Sequence, residues 1–424
     1  MQNLLSRFKS DQFLKHNAIF FIGSISVSAI NYFYHPIMSR LMTVENFGEV
    51  QTLISLFTQA SLMLGVFNII GINITANHEN PTEQQRKLSQ LHLFASYLML
   101  ALSCAIVIAS PFVRHLLQFQ SFLPIAVLAP IFLGAVPLTF RRSYLQGTHD
   151  FPSLSIAGLI VAGGRLVFGV LLVLAGLSTL GAISGLLIAQ FLSVGYVYKK
   201  TYRALNLPLR QKFRLNQELR HELFYGLLIF CSTSLVTFLS TSDIVVVKYF
   251  FAPDIAGFYA GISTISNIIF FATGSIAGVL IATIKLKNTR QENFRILAKA
   301  FILIGLIGGS GLILFSLVPH LVIKILLGQR YLVYADLLPR VAMVTFTCSL
   351  VNILSSYFLA LRRKMILFIS GIGALVTVIL IALFHTTPAS IVNDFLAASI
   401  STFILLCLFF IWSLKNQKST ADIF

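Results

Sequence analysis

At least ten apolar runs of about 20 residues, read as twelve spans, divide this chain, and they constrain its fold more tightly than any other feature. A helix rises about 1.5 Å per residue, so a run of that length crosses a hydrocarbon layer about 30 Å thick. Only helices and closed barrels satisfy their backbone polar groups in such a layer. The runs lie near 14 to 39, 47 to 75, 91 to 112, 121 to 140, 154 to 176, 178 to 198, 223 to 250, 256 to 284, 300 to 318, 336 to 360, 365 to 384 and 391 to 413. Of the 424 residues, 57% are hydrophobic and 11% charged, against about 45 to 50% and about 25% in soluble domains. A globular core could not hide so much apolar surface. The expectation is an all-α polytopic membrane protein with twelve transmembrane helices.

The formal charge of +17 says less than the positions of the charges. If the N-terminus is cytoplasmic, 24 of the 31 basic residues, from Arg7 to Lys418, fall in inner segments. Arg40, Arg114, Lys248, Lys324, Arg330 and Arg340 fall in outer ones, and Arg165 lies mid-span. This asymmetry and an even span count place both termini in the cytoplasm. Basic charge then reports topology and anionic lipid, and no nucleic-acid partner is expected. The first fifteen residues are polar and lead into a full-length span without a small-residue cleavage site, so a removed signal peptide is not expected. Cys104, Cys231, Cys348 and Cys407 all fall within spans, which argues against a disulfide framework or a zinc site.

The second half of the chain echoes the first. Glu45 and Gly48 recur as Asp254 and Gly257, and Leu128 and Pro130 as Leu337 and Pro339, at an offset of 209. Ser143-Tyr144 and Ile156-x-Gly158 recur as Ser356-Tyr357 and Ile369-x-Gly371 at 213, so one four-residue insertion reconciles the two. The pattern predicts two six-helix bundles, 1–198 and 223–424, related by a pseudo-two-fold axis along the membrane normal. A basic cytoplasmic linker, 199–222, joins them.

No nucleotide-binding glycine loop, nucleophile elbow or metal-ligand spacing stands out, and no cofactor or metal is implied. The two-half repeat favours a secondary transporter, and ionisable or polar residues at membrane depth are then the candidates for its work. Arg165 lies about eleven residues from either end of its span, roughly 16 Å from each surface, too far for easy snorkelling. Its guanidinium suits a phosphate or pyrophosphate, bound bidentately without change of protonation. Ser24, Ser28, Asn31 and His35 share one face of the first helix, and Thr58, Ser61, Gly65 and Asn68 one face of the second. These stripes either glue helices together or line a wet cavity, which makes Asn31, His35 and Asn68 cavity candidates. On the seventh span Lys248 shares a face with Ser234, Thr237 and Thr241, whereas Asp243 falls on the opposite side at roughly 100° per residue. Asp243 therefore either pairs across to another helix, with Arg165 as a candidate partner, or takes up and releases H+ or Na+ as a coupling group.

Three stretches carry a family resemblance: NYFYHPIMSRLMTVENFGEVQTLISL in the first hairpin, RRSYLQGTHDF after the fourth span, and TSDIVVVKYFFAPDIAGFYAGIS across the seventh and eighth. They resemble the polysaccharide-transporter branch of the multidrug/oligosaccharidyl-lipid/polysaccharide exporter superfamily, which includes O-antigen and capsule flippases. The resemblance implies twelve helices, the bacterial inner membrane, and a substrate oligosaccharide linked to undecaprenyl pyrophosphate, as in lipopolysaccharide synthesis. It also implies a cationic central cavity, with a glycan polymerase or glycosyltransferases as partners. A multidrug or organic-cation antiporter of the same superfamily is the alternative, although such an exporter would be expected to carry more carboxylates in its first half than Glu49.

Overall fold

The computed structural model describes residues 12–77, 80–207, 217–284 and 288–415. The first eleven residues, the linker segment 208–216 with Arg210, Lys212 and Arg214, the pair Lys285 and Lys287, and the C-terminal tail with Lys418 lie outside the described residues. Among those described, helices are joined by short turns and there is no strand. Among the described residues, ten stretches are long and apolar enough to cross a membrane. One of them, Phe151–Thr201, contains two of the expected runs.

The chain divides into two compact units, Met1–Leu53 with Ala60–Leu227, and Ile54–Gln59 with Leu228–Phe424. The first is built from α1 (Gln12–Leu41), α2 (Val44–Asn77), α3 (Pro81–Leu116), α4 (Leu128–Gly147), α5 (Phe151–Leu172) and α6 (Ser178–Thr201). Of the three prolines in the fourth run, two lie at helix starts and Pro137 lies inside α4. Pro124 opens a separate short helix, Leu123–Ala126, and Pro130 falls in the first turn of α4.

Small residues set the packing of this unit. A Cβ added to Gly185 on α6 would lie 2.5 Å from the Gly169 Cα on α5. One added to Gly164 would lie 2.8 Å from the Ala189 Cβ, and one added to Gly169 would lie 2.9 Å from the Met38 Cε of α1. With lipid outside and little hydrophobic drive between helices, close backbone approach supplies the attraction. The α5–α6 connection is a single π-helical turn, Val173–Leu177, in which Gly176 has φ 90°, a value that an L side chain adopts only with strain.

The second unit contains α7 (Gln217–Thr241), α8 (Asp243–Phe250), α9 (Pro253–Thr283), α10 (Arg290–Leu317), α11 (Pro319–Leu326), α12 (Leu338–Ala360), α13 (Met365–Leu383) and α14 (Pro388–Lys415). Its α9 and α12 are joined by two hydroxyl pairs, Ser266 to Thr345 and Thr273 to Ser349, each at 2.9 Å. Below them Leu280, Leu354, Phe358 and Leu406 belong to one apolar cluster. The two turns matched in sequence both open helices: Glu45 lies in the first turn of α2 and Asp254 in that of α9.

One expectation fails here. The seventh run, 223 to 250, is not one helix but two, broken at Ser242. The break is held by residues 54–59 of α2, which belong to this unit. Ser55 donates to the Thr241 carbonyl at 2.6 Å, and the Gln59 amide donates to the Ser242 hydroxyl at 2.6 Å. Side chains thus compensate for the interrupted helical ladder, and the 100° register count that separated Asp243 from the α7 face stops at Ser242.

Candidate functional site

The sequence-derived candidates fall into two groups, one in each unit, and each unit has its own chemistry. In the first, α1 lies along α5, and α5 lies against α6 through Gly169 and Gly185. That contact brings Tyr34 beneath Arg165. The guanidinium carbon of Arg165 sits 3.8 Å from the centre of the Tyr34 ring, and the Tyr34 hydroxyl donates to the Ala182 carbonyl at 3.5 Å. His35 packs edge-on against Tyr34, with ring centres 5.5 Å apart, and Arg165 and Gln51 are its polar neighbours. The buried Nη2 of Arg165 and Nδ1 of His35 have no hydrogen-bond partner among the described residues.

Magnitudes show what this arrangement leaves open. A desolvated cation–π contact is worth about 2 kcal/mol, which roughly offsets the lowest cost of an arginine at mid-membrane, about 2.5 kcal/mol. The ring holds the charge in place but accepts no N–H bond in the guanidinium plane. A guanidinium has five donors, so Arg165 is fixed, charged and still able to bind an oxyanion.

Asn31 and Asn68 are half-buried and make no side-chain hydrogen bond among the described residues. Ser24 and Ser28 are exposed. Apart from His35, the stripe on α1 therefore runs along the surface of its unit.

In the second unit Asp243 opens α8 and is buried. Its Oδ2 accepts from the Tyr259 hydroxyl at 2.8 Å and from the Ser263 hydroxyl at 2.5 Å, both on α9, while Oδ1 has no partner among the described residues. Two neutral donors on one oxygen leave the other free to bind a proton or a cation. Lys248, one helical turn and a residue further on, is only 1% exposed, so it does not snorkel. Asp243 and Lys248 belong to the second unit, and Arg165, Asn31, His35 and Asn68 to the first.

Sequence reasoning missed Tyr34, Tyr259 and Ser263, because aromatic and serine residues in apolar helices carry no signal until the neighbouring helix is known. It also passed over Glu49 as a helix-end residue. Glu49 is buried, and its two oxygens accept from the Gln120 backbone N–H at 2.7 Å and the Thr179 hydroxyl at 2.9 Å. It ties α2 to the α3–α4 connection and to α6.

A family model described as "Polysaccharide biosynthesis protein" matches residues 13–285, more than half of the chain. No curated protein matches significantly. Among solved structures the chain is similar to the lipid II flippase MurJ in an inward closed conformation, with TM-score 0.74 and 14% identity over 93% of this chain and 87% of that one. It is also similar to an inward-facing multidrug resistance MATE family transporter of the MOP superfamily, with TM-score 0.69 and 14% identity over 92% and 96%. A MOP superfamily transporter from Pyrococcus furiosus, described as having a binding pocket of reversed polarity, gives TM-score 0.55 and 16% identity over 94% and 95%. At these identities the likeness shows the fold, which is that of MOP-superfamily transporters.

Proposed function

The chain belongs to the polysaccharide biosynthesis protein family, and on that premise we propose that it flips a lipid-linked oligosaccharide, carried on undecaprenyl pyrophosphate, across the bacterial inner membrane by alternating access. Arg165 is the observation that carries the reading. A fixed guanidinium at mid-membrane depth, stacked on Tyr34 with a buried donor unused, suits a pyrophosphate. A carrier of neutral or cationic substrates has no need of that arrangement. Asn31, His35 and Asn68 would meet the sugars, and Lys248 would add positive charge. Twelve crossings in two bundles, 1–198 and 223–424, would rock about the basic linker with both termini cytoplasmic. The substrate then shifts the balance of states only through unequal affinity for them.

Asp243 is the proposed coupling group, exchanging H+ or Na+ at its free oxygen. In a strain lacking the protein, Arg165→Ala should fail to restore surface glycan and should leave the lipid-linked unit on the cytoplasmic leaflet. Full restoration would remove the arginine from the mechanism. Reconstituted vesicles separate flipping from scaffolding of a glycan polymerase or glycosyltransferases. Efflux of organic cations without glycan flipping would favour the antiporter alternative.

A further inference from the structure

Besides the half-buried Arg165, the first unit holds a buried guanidinium that the transport reading does not use. Arg141, near the end of α4, is 6% exposed. Its Nη1 donates to the Thr201 hydroxyl at 2.5 Å, and its carbon lies 4.4 Å from the centre of the Tyr198 ring. The buried Nε has no hydrogen-bond partner, and no ion pair involves Arg141 among the described residues. Beside it on α3 lies His92, 5% exposed, which packs edge-on against Phe140 and has a buried Nδ1 that is also unpartnered. A desolvated cation balanced by one hydroxyl and one ring is incomplete, because buried charge is costly unless paired and fully hydrogen-bonded.

The α3 face that carries His92 also lines an open recess nearer the start of the helix. A cavity of about 340 Å³ is lined by Pro81, Thr82, Gln85, Arg86 and Ser89 at the start of α3. Residues 82, 85, 89 and 92 follow helical spacing, so His92 continues the cavity-lining face one turn deeper. Gln85 and Ser89 donate to the Asn206 carbonyl at 3.3 and 3.2 Å, which places the cavity beside the chain that leaves α6. That end of the unit also presents exposed Lys199, Lys200 and Arg203, and Tyr198 is 55% exposed beside the buried guanidinium. Basic and aromatic side chains of this kind gather where lipid headgroups meet a protein.

We infer that this end of the first unit is a phosphate-class anion site, distinct from Arg165, with Arg141 as its fixed charge, His92 beside it and the cavity at Arg86 as its mouth. A phosphate accepts several charge-assisted bonds at once and would satisfy the open Nε. The same chemistry is offered by a phosphorylated lipid headgroup and by a free phosphate. The site stands whether or not the protein flips glycans, since anion binding and translocation are measured separately.

The test uses the full chain purified in neutral detergent, with Arg165→Gln throughout so that the mid-depth guanidinium is silent. Farnesyl pyrophosphate, inorganic pyrophosphate and phosphatidylglycerol are titrated in turn by calorimetry, with farnesol as the uncharged control. At least one phosphate probe is expected to bind, and adding Arg141→Gln is expected to weaken it about tenfold or more. Binding by inorganic pyrophosphate assigns the site to free anions as well, and binding by the lipid probes alone assigns it to a headgroup. Should Arg141→Gln not fold, Thr201→Val keeps the charge while removing the hydroxyl that holds it, and is expected to weaken binding severalfold. The inference is overturned if no phosphate probe binds, if farnesol binds equally well, if affinity is unchanged in Arg141→Gln, or, where that variant does not fold, if affinity is unchanged in Thr201→Val.

Discussion

Replacing Gly185 by alanine tests how the first unit holds its arginine. The new Cβ would stand 2.5 Å from the Gly169 Cα and closer still to the Gly169 nitrogen. Ordinary contact begins near 3.4 Å, and both atoms opposing the methyl are backbone, so no side chain can turn aside. The α5 and α6 helices must part locally by most of an ångström. Forced overpacking of this kind costs about 1–3 kcal/mol, while Gly→Ala in a helix interior returns about 0.8–1 kcal/mol through propensity. The net expectation is a loss of up to about 2 kcal/mol. Arg165 lies one turn from Gly169, and Tyr34 Cε2 would be 3.4 Å from a Cβ at Gly169, so the same movement disturbs the stacking of Arg165 on Tyr34. Thermal unfolding of the purified protein in detergent, with glycan complementation in parallel, should show both losses together. Gly163→Ala and Gly195→Ala are the controls, because a Cβ at either meets nothing within 4 Å; they should be neutral or slightly stabilising. If Gly185→Ala matches these controls in both assays, the close approach does not set the packing and the reasoning is wrong.

Substitutions at three other residues separate structure from function. Tyr34→Phe keeps the ring under Arg165 and should behave nearly as wild type, whereas Tyr34→Leu removes a contact worth about 2 kcal/mol and should reduce both thermal stability and complementation; equal behaviour of the two would refute a role for the ring. Asp243→Ala strands the Tyr259 and Ser263 hydroxyls at about 1–3 kcal/mol each. Asp243→Asn keeps an acceptor and should stay folded while ion-driven uptake in vesicles is lost, so undiminished uptake would exclude Asp243 from coupling. Glu49→Gln opposes one of two donors, the Gln120 N–H or the Thr179 hydroxyl, with an amide N–H. It should lower the unfolding temperature through a cost of about 1–3 kcal/mol, and an unchanged transition would show that these bonds carry little of the packing.

The course of the chain through apolar helices was legible because hydrocarbon crossing is a one-dimensional requirement: about 20 apolar residues in a row, wherever they pack. Each of the twelve runs falls on helical structure, and Pro124 and Pro130 lie at the starts of the two helices into which the fourth run divides. Arg165 was legible for the same reason, since a charge far from both ends of a run stands out by position alone. The break at Ser242 was not. No proline or glycine marks it, and the groups that hold it, Ser55 and Gln59, lie some 186 and 183 residues away in sequence.

By itself, then, the sequence determined that the chain is a multi-span helical protein and which side chains lie too deep to be solvated. Only the tertiary structure decided what those side chains meet. It placed Arg165 on Tyr34, Asp243 under Tyr259 and Ser263, and Arg141 between Thr201 and Tyr198. The physical reason is that hydropathy reports transfer of a residue from water to lipid, whereas hydrogen bonds and cation–π contacts depend on which helices approach closely. In this protein that approach is set by glycines such as Gly169 and Gly185, whose role shows only when the facing helix is in place.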